Sequence, residues 1–138
     1  MGKETILIKN EQEMEKFALQ FSKKIKPGDV IELLGDLGSG KTFFVRALSQ
    51  ALGATGISSP SFVIKNEYMD GKFPIIHFDF YRLNDPGIVK EELKESLSAG
   101  NLVIIEWADS IREVLPDDCY KIKFKITDKN SRELEIKR

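Results

Sequence analysis

Eight consecutive residues, Gly35-Asp36-Leu37-Gly38-Ser39-Gly40-Lys41-Thr42, hold the densest chemistry in the chain and fit the pattern G-x-x-x-x-G-K-[ST]. Glycines at 35, 38 and 40 remove the Cβ atoms that would stop consecutive backbone N–H groups from converging on phosphate oxygens. Lys41 adds a cation. A helix beginning near Lys41 points unpaired N–H groups and its positive dipole end into the same concavity. The Thr42 hydroxyl is placed to bind a Mg²⁺ ion bridging the phosphates. The implied ligand is a nucleoside triphosphate, with a binding set that runs from Gly35 through Phe43.

Such a loop needs an acidic partner for Mg²⁺, and two apolar runs end in an acid. Pro74-Ile75-Ile76-His77-Phe78-Asp79 ends in Asp79, and Leu102-Val103-Ile104-Ile105-Glu106 ends in Glu106. An ionised carboxylate at the end of a buried strand is costly unless paired, coordinated or wet. Lys41, Asp79 and Glu106 are therefore the catalytic candidates, and Thr42, Glu106 and Asp79 the metal candidates. One acid would hold Mg²⁺ and the other would orient the water attacking the γ-phosphate, with the assignment between them left open. Ser61, in the polar stretch Ser58-Ser59-Pro60-Ser61, is the candidate hydroxyl of a loop closing over the γ-phosphate. Arg82 reads as a salt-bridge partner for Asp79 or a stabiliser of phosphate charge, His77 as a hydrogen-bonded structural residue outside catalysis, and Trp107 as either a nucleotide or partner contact or a partly buried aromatic.

These residues need elements to hold them. Val30 to Leu34 reads as the strand feeding the loop, and Phe43, Phe44, Ala47, Leu48, Ala51 and Leu52 make the helix after it largely buried. Upstream, Thr5 to Ile8 predicts a strand. Asn10 caps a helix whose stripe is Met14, Phe17, Ala18, Phe21 and Ile25, ended by Pro27-Gly28. Downstream, Phe62 to Tyr68 and Pro74 to Phe80 flank Asp70-Gly71 and predict a β-hairpin. Asp85-Pro86 opens a helix to about Leu97, and a short helix follows over Asp109 to Leu115. Tyr120, Ile122, Phe124 and Ile126 alternate with Lys121, Lys123 and Lys125, predicting a one-faced strand paired with Glu133 to Lys137, its lysines solvated. The expected fold is α/β: a single-domain, three-layer P-loop NTPase-like arrangement over residues 1–138, with a mixed, mainly parallel central sheet and antiparallel hairpins.

Composition narrows the function classes. The 138 residues suit one domain, and a net charge of −1 lacks the basic excess that independent nucleic-acid binding draws on. The lone Cys119 has no companion for a disulfide or metal site and fits strand packing in a reducing compartment. No apolar run approaches the ~18 residues of a membrane span. A cytoplasmic location without membrane contact is the expectation.

Taken with Ser59-Pro60-Ser61-Phe62, Asn66-Glu67-Tyr68, His77-Phe78-Asp79-Phe80-Tyr81-Arg82-Leu83 and Ile105-Glu106-Trp107, the phosphate loop resembles that of the bacterial TsaE (YjeE) family. The resemblance spans roughly residues 35 to 107, in the family's order and spacing. It implies an ATP- and Mg²⁺-dependent ATPase needed for N6-threonylcarbamoyladenosine at position 37 of tRNAs that read codons beginning with A. Such a protein acts on the TsaB–TsaD transferase complex, with tRNA met through those partners. By the same resemblance the family's loop Lys and Thr fall on Lys41 and Thr42, its acids on Asp79 and Glu106, and its loop hydroxyl on Ser61, where the family usually has Thr. Two rivals share the loop: a small-molecule kinase, and a nucleotide-dependent interaction module with negligible turnover. A GTP switch is disfavoured, since no Asn-Lys-x-Asp occurs.

Overall fold

Continuous apolar runs in the central strands dictate a sheet with two buried faces. The computed structural model describes residues 2–56, 59–60, 65–81 and 87–138, without the side chains of 59 and 60. Its strands are β1 (Glu4–Ile8), β2 (Val30–Leu34), β3 (Ser59–Pro60), β4 (Lys65–Tyr68), β5 (Ile75–Asp79), β6 (Leu102–Glu106), β7 (Tyr120–Ile126) and β8 (Arg132–Lys137). Helices are α1 (Glu11–Ser22), α2 (Lys41–Ala51) and α3 (Gly87–Ser98), with a 3₁₀ helix over Ala108–Val114. Among the described residues they form one eight-stranded sheet ordered β1-β8-β7-β2-β6-β5-β4-β3.

The four central strands, β7, β2, β6 and β5, are mutually parallel, and the pairings outside them are antiparallel. This is the mixed sheet with a parallel centre that βα alternation predicts. Asn10 caps α1, its side chain accepting from the Glu13 N–H at 2.9 Å. Both expected hairpins form, β4–β5 and β7–β8, with residues 62–64 of the first lying outside the described residues. Two features escape local patterning. β1 pairs with β8 at the edge, and Ser59–Pro60, read as loop, forms a short strand against β4.

Period-two alternation sorts the core. Ile31, Leu33, Leu102, Ile104, Ile122 and Phe124 pack under α1 and α2, while Val30, Val103, Ile105, Ile76 and Phe78 pack against Leu93, Ala108 and Ile111. Cys119 is buried in the second cluster, and burial pushes its thiol up in pKa. The same alternation puts His77, Asp79 and Glu106 on the α2 side, because each lies two or four residues from an α2-facing Ile75, Leu102 or Ile104.

Candidate functional site

β2 delivers the chain to the loop at the C-terminal ends of the parallel strands, where ligands of open α/β sheets bind. Gly35 has φ 144°, and a Cβ there would lie 2.7 Å from the Phe124 carbonyl and 2.8 Å from Ser39 Oγ, so only glycine lets the loop rest on β7. Gly40, at φ 107°, starts α2 with no side-chain cap, leaving first-turn N–H groups for a ligand. The Ser39 hydroxyl, 1% exposed, has no partner. Thr42 and the loop tip from Asp36 to Gly38 are exposed, and Phe43 is half-buried against the core.

Lys41 is buried inside a cage. Its Nζ donates to the Gly35 carbonyl at 2.6 Å, lies 3.6 Å from Glu106 Oε1, and sits 4.3 Å from the centroid of the Trp107 ring. Glu106 is itself buried, with Oε2 2.6 Å from His77 Nε2. Asp79 lies opposite Glu106 in register but is half-buried, its Oδ1 accepting the Tyr81 N–H at 2.9 Å. Thr42, His77, Asp79 and Glu106 open onto one cavity of about 450 Å³ that continues between α2 and β4 past Arg46 and Lys65.

All three catalytic candidates thus meet at one end of the sheet. Ser61 and Arg82 lie outside the described residues. His77, set aside from the chemistry, is hydrogen-bonded as expected, but its partner is the site carboxylate itself. Arg132 joins the site without any motif of its own. From the start of β8 its guanidinium donates to the Ser39 carbonyl at 3.0 Å and the Gly38 carbonyl at 3.2 Å, tying the loop to β8. No sequence signal marks it, since a charged residue beside a turn is ordinary and the loop is 93 residues away.

The residues fit a phosphate chain: an orphaned buried hydroxyl, a glycine cradle, an uncapped helix start and a buried cation. They also suit Mg²⁺. Among the described residues no three His, Cys, Asp or Glu side chains form a protein-only metal site. Mg²⁺ in phosphate-binding sites commonly uses one or two carboxylates, with phosphate oxygens and water completing its shell. Thr42, Glu106 and Asp79 are the side chains of the cavity that would supply that smaller share.

Loop, helix and strand-end acids together define the P-loop class of nucleotide-binding proteins. The comparisons narrow this further. Residues 8–134 match the family model "Threonylcarbamoyl adenosine biosynthesis protein TsaE", and the chain belongs to that family. It is 38% identical over 128 residues to the Bacillus subtilis tRNA threonylcarbamoyladenosine biosynthesis protein TsaE, covering 91% of this chain and 79% of the relative. The Rickettsia typhi protein of the same name is 37% identical, with coverages of 95% and 92%. The crystal structure of Bacillus subtilis YdiB superposes with a TM-score of 0.80 at 32% identity, covering 98% of this chain and 84% of that one. No helix among the described residues is long and apolar enough to cross a membrane.

Proposed function

We propose that this chain hydrolyses ATP to drive a step of tRNA threonylcarbamoyladenosine biosynthesis, acting on a TsaB–TsaD complex that itself holds the tRNA. The observation carrying this reading is the Lys41 cage, which links the phosphate loop to a strand-end carboxylate in a TsaE-family chain. A triphosphate entering the loop competes for the Lys41 ammonium. As Lys41 turns from the Gly35 carbonyl and Glu106 to the phosphate oxygens, Glu106 Oε1 is released. Thr42 and Glu106 would hold Mg²⁺, which supplies charge neutralisation at the β- and γ-phosphate oxygens. Asp79, half-buried on the cavity wall, orients the attacking water.

Two features support contact with tRNA through partners. Net charge is −1, and two of the three lysines on β7 are compensated across the sheet, Lys123 opposite Glu135 and Lys125 opposite Glu133, while Lys121 stands opposite Lys137. Phosphate release from ATP and GTP, measured with the chain alone and with TsaB and TsaD, tests the proposal. ATP-selective release that rises with the partners and vanishes in Lys41→Ala is the expected result, and partner-independent release overturns the proposed coupling. The cavity favours a second reading, because 450 Å³ is a small-molecule volume and its walls run well beyond the acids. That reading is phosphoryl transfer to a small acceptor, and it fails if free phosphate accounts for all the ADP formed.

A further inference from the structure

The most deeply buried charged side chain among the described residues lies outside the nucleotide cavity. Glu32, 1% exposed, sits in the middle of β2. Its neighbours Ile31 and Leu33 face α1 and α2, so alternation turns Glu32 to the opposite face, where an unpaired carboxylate would be strongly disfavoured. Arg112 compensates it bidentately, Nη1 to Oε1 at 2.8 Å and Nη2 to Oε2 at 2.7 Å. The same Nη2 lies 3.1 Å from Asp109 Oδ1.

An ion pair of this kind could serve stability alone, but its location argues for more. Glu32 is on the strand that becomes the phosphate loop, and Asp109 and Arg112 belong to the 3₁₀ helix that starts directly after Glu106-Trp107. The pair therefore ties together the two chain segments that supply the Lys41 cage. Trp107, at φ 57°, is the one non-glycine residue at positive φ among the described residues, a conformation that a large side chain keeps only when its surroundings impose it. Its buried Nε1 has no hydrogen-bond partner, so the indole is not pinned through its own polar atom. A cavity of about 120 Å³, lined by Lys41, Trp107, Arg112 and Glu32, leaves the ring room to shift. What holds it are the Tyr81 ring at 4.9 Å, the Lys41 ammonium and the backbone that Arg112 anchors.

We propose that Glu32 and Arg112 are positioning residues for hydrolysis: their pair fixes the turn after β6, keeping Trp107 over Lys41 and setting the depth of Glu106 at the site. The proposal rests on the ATP-hydrolysis reading above. Neither residue lines the nucleotide cavity.

Arg112→Met alone would strand a buried carboxylate, so the informative variant is the double Glu32→Leu/Arg112→Met, which removes both charges together. Arg112→Lys keeps the charge but loses the fork of donors. Melting temperature, kcat and KM for ATP with TsaB and TsaD, and the emission and acrylamide quenching of Trp107, the sole tryptophan, are measured on each. Expected for the double variant is a wild-type melting temperature, kcat down about tenfold with KM changed less than about threefold, and more strongly quenched, red-shifted emission. Arg112→Lys should share the kinetic and emission changes. A folded double variant with either wild-type kcat or wild-type emission overturns the proposal. If that variant does not fold, wild-type kcat and emission in Arg112→Lys overturn it instead. Absence of hydrolysis in the wild-type complex refutes the functional reading, whereas unchanged Trp107 emission in a folded variant refutes the brace whether or not ATP is cleaved.

Discussion

Asp79 and Glu106 end neighbouring parallel strands in register, each after an apolar run, yet they live in different surroundings. Glu106 is 4% exposed with His77 on one oxygen and Lys41 near the other, whereas Asp79 is half-buried and accepts a backbone N–H from two residues along. Strand order makes the difference. β6 lies directly beside β2 and so places its last residue against the loop, while β5 is one strand further out. Two acids alike in local pattern thereby differ in burial and in partners, the difference on which the proposed division of roles between metal and water rests.

The largest expected effect breaks the comparison at its centre. Glu106→Gln keeps the shape and the His77 hydrogen bond but removes the charge, and kcat should fall about a hundredfold or more while ATP stays bound. Asp79→Asn should lower kcat without weakening the Mg²⁺ dependence of ATP binding. The opposite metal dependence in titrations of the two variants would exchange the roles assigned here. Lys41→Ala comes next. Losing charge-assisted phosphate bonds worth about 1.5–3 kcal/mol should weaken ATP binding about ten- to hundredfold by calorimetry, and unchanged affinity would remove the phosphate site.

His77→Phe takes a partner from buried Glu106 and should cost about 1–3 kcal/mol in chemical denaturation, together with turnover; His77→Gln should recover much of both. Equal loss in the two variants would show that imidazole matters for more than holding Glu106. The smallest effect belongs to a third carboxylate, Asp70, which is fully exposed. The Thr55 hydroxyl and N–H hold its pKa below the ordinary 3.8. Because the folded value is depressed, this contact stabilises above the unfolded pKa and is lost as pH falls through the folded one. Thr55→Val should return the Asp70 titration, followed by NMR, toward 3.8, leaving kcat untouched.

Elements with local signals were legible: the Asn10 cap, the loop glycines, the Asp70-Gly71 turn and the alternation of β7. Phase was legible too, since His77 two residues before Asp79 had to share its face. Partnership was not. A histidine's role depends on what stands opposite, and for His77 that is Glu106, 29 residues away. Arg132 and Arg112 gave no signal for the same reason, their partners being separated from them by 93 and 80 residues.

Taken alone, the sequence determined where phosphate would bind, which acids could serve it and which family the motifs resemble. Those properties follow from short spacings that set backbone hydrogen bonding and side-chain phase within a few residues. Tertiary structure decided which acid meets Lys41, what lies against Trp107, and how β7 and β8 support the loop through Phe124 and Arg132. Strand order brings those groups together, and strand order is an outcome of packing the whole chain, which local spacing does not encode.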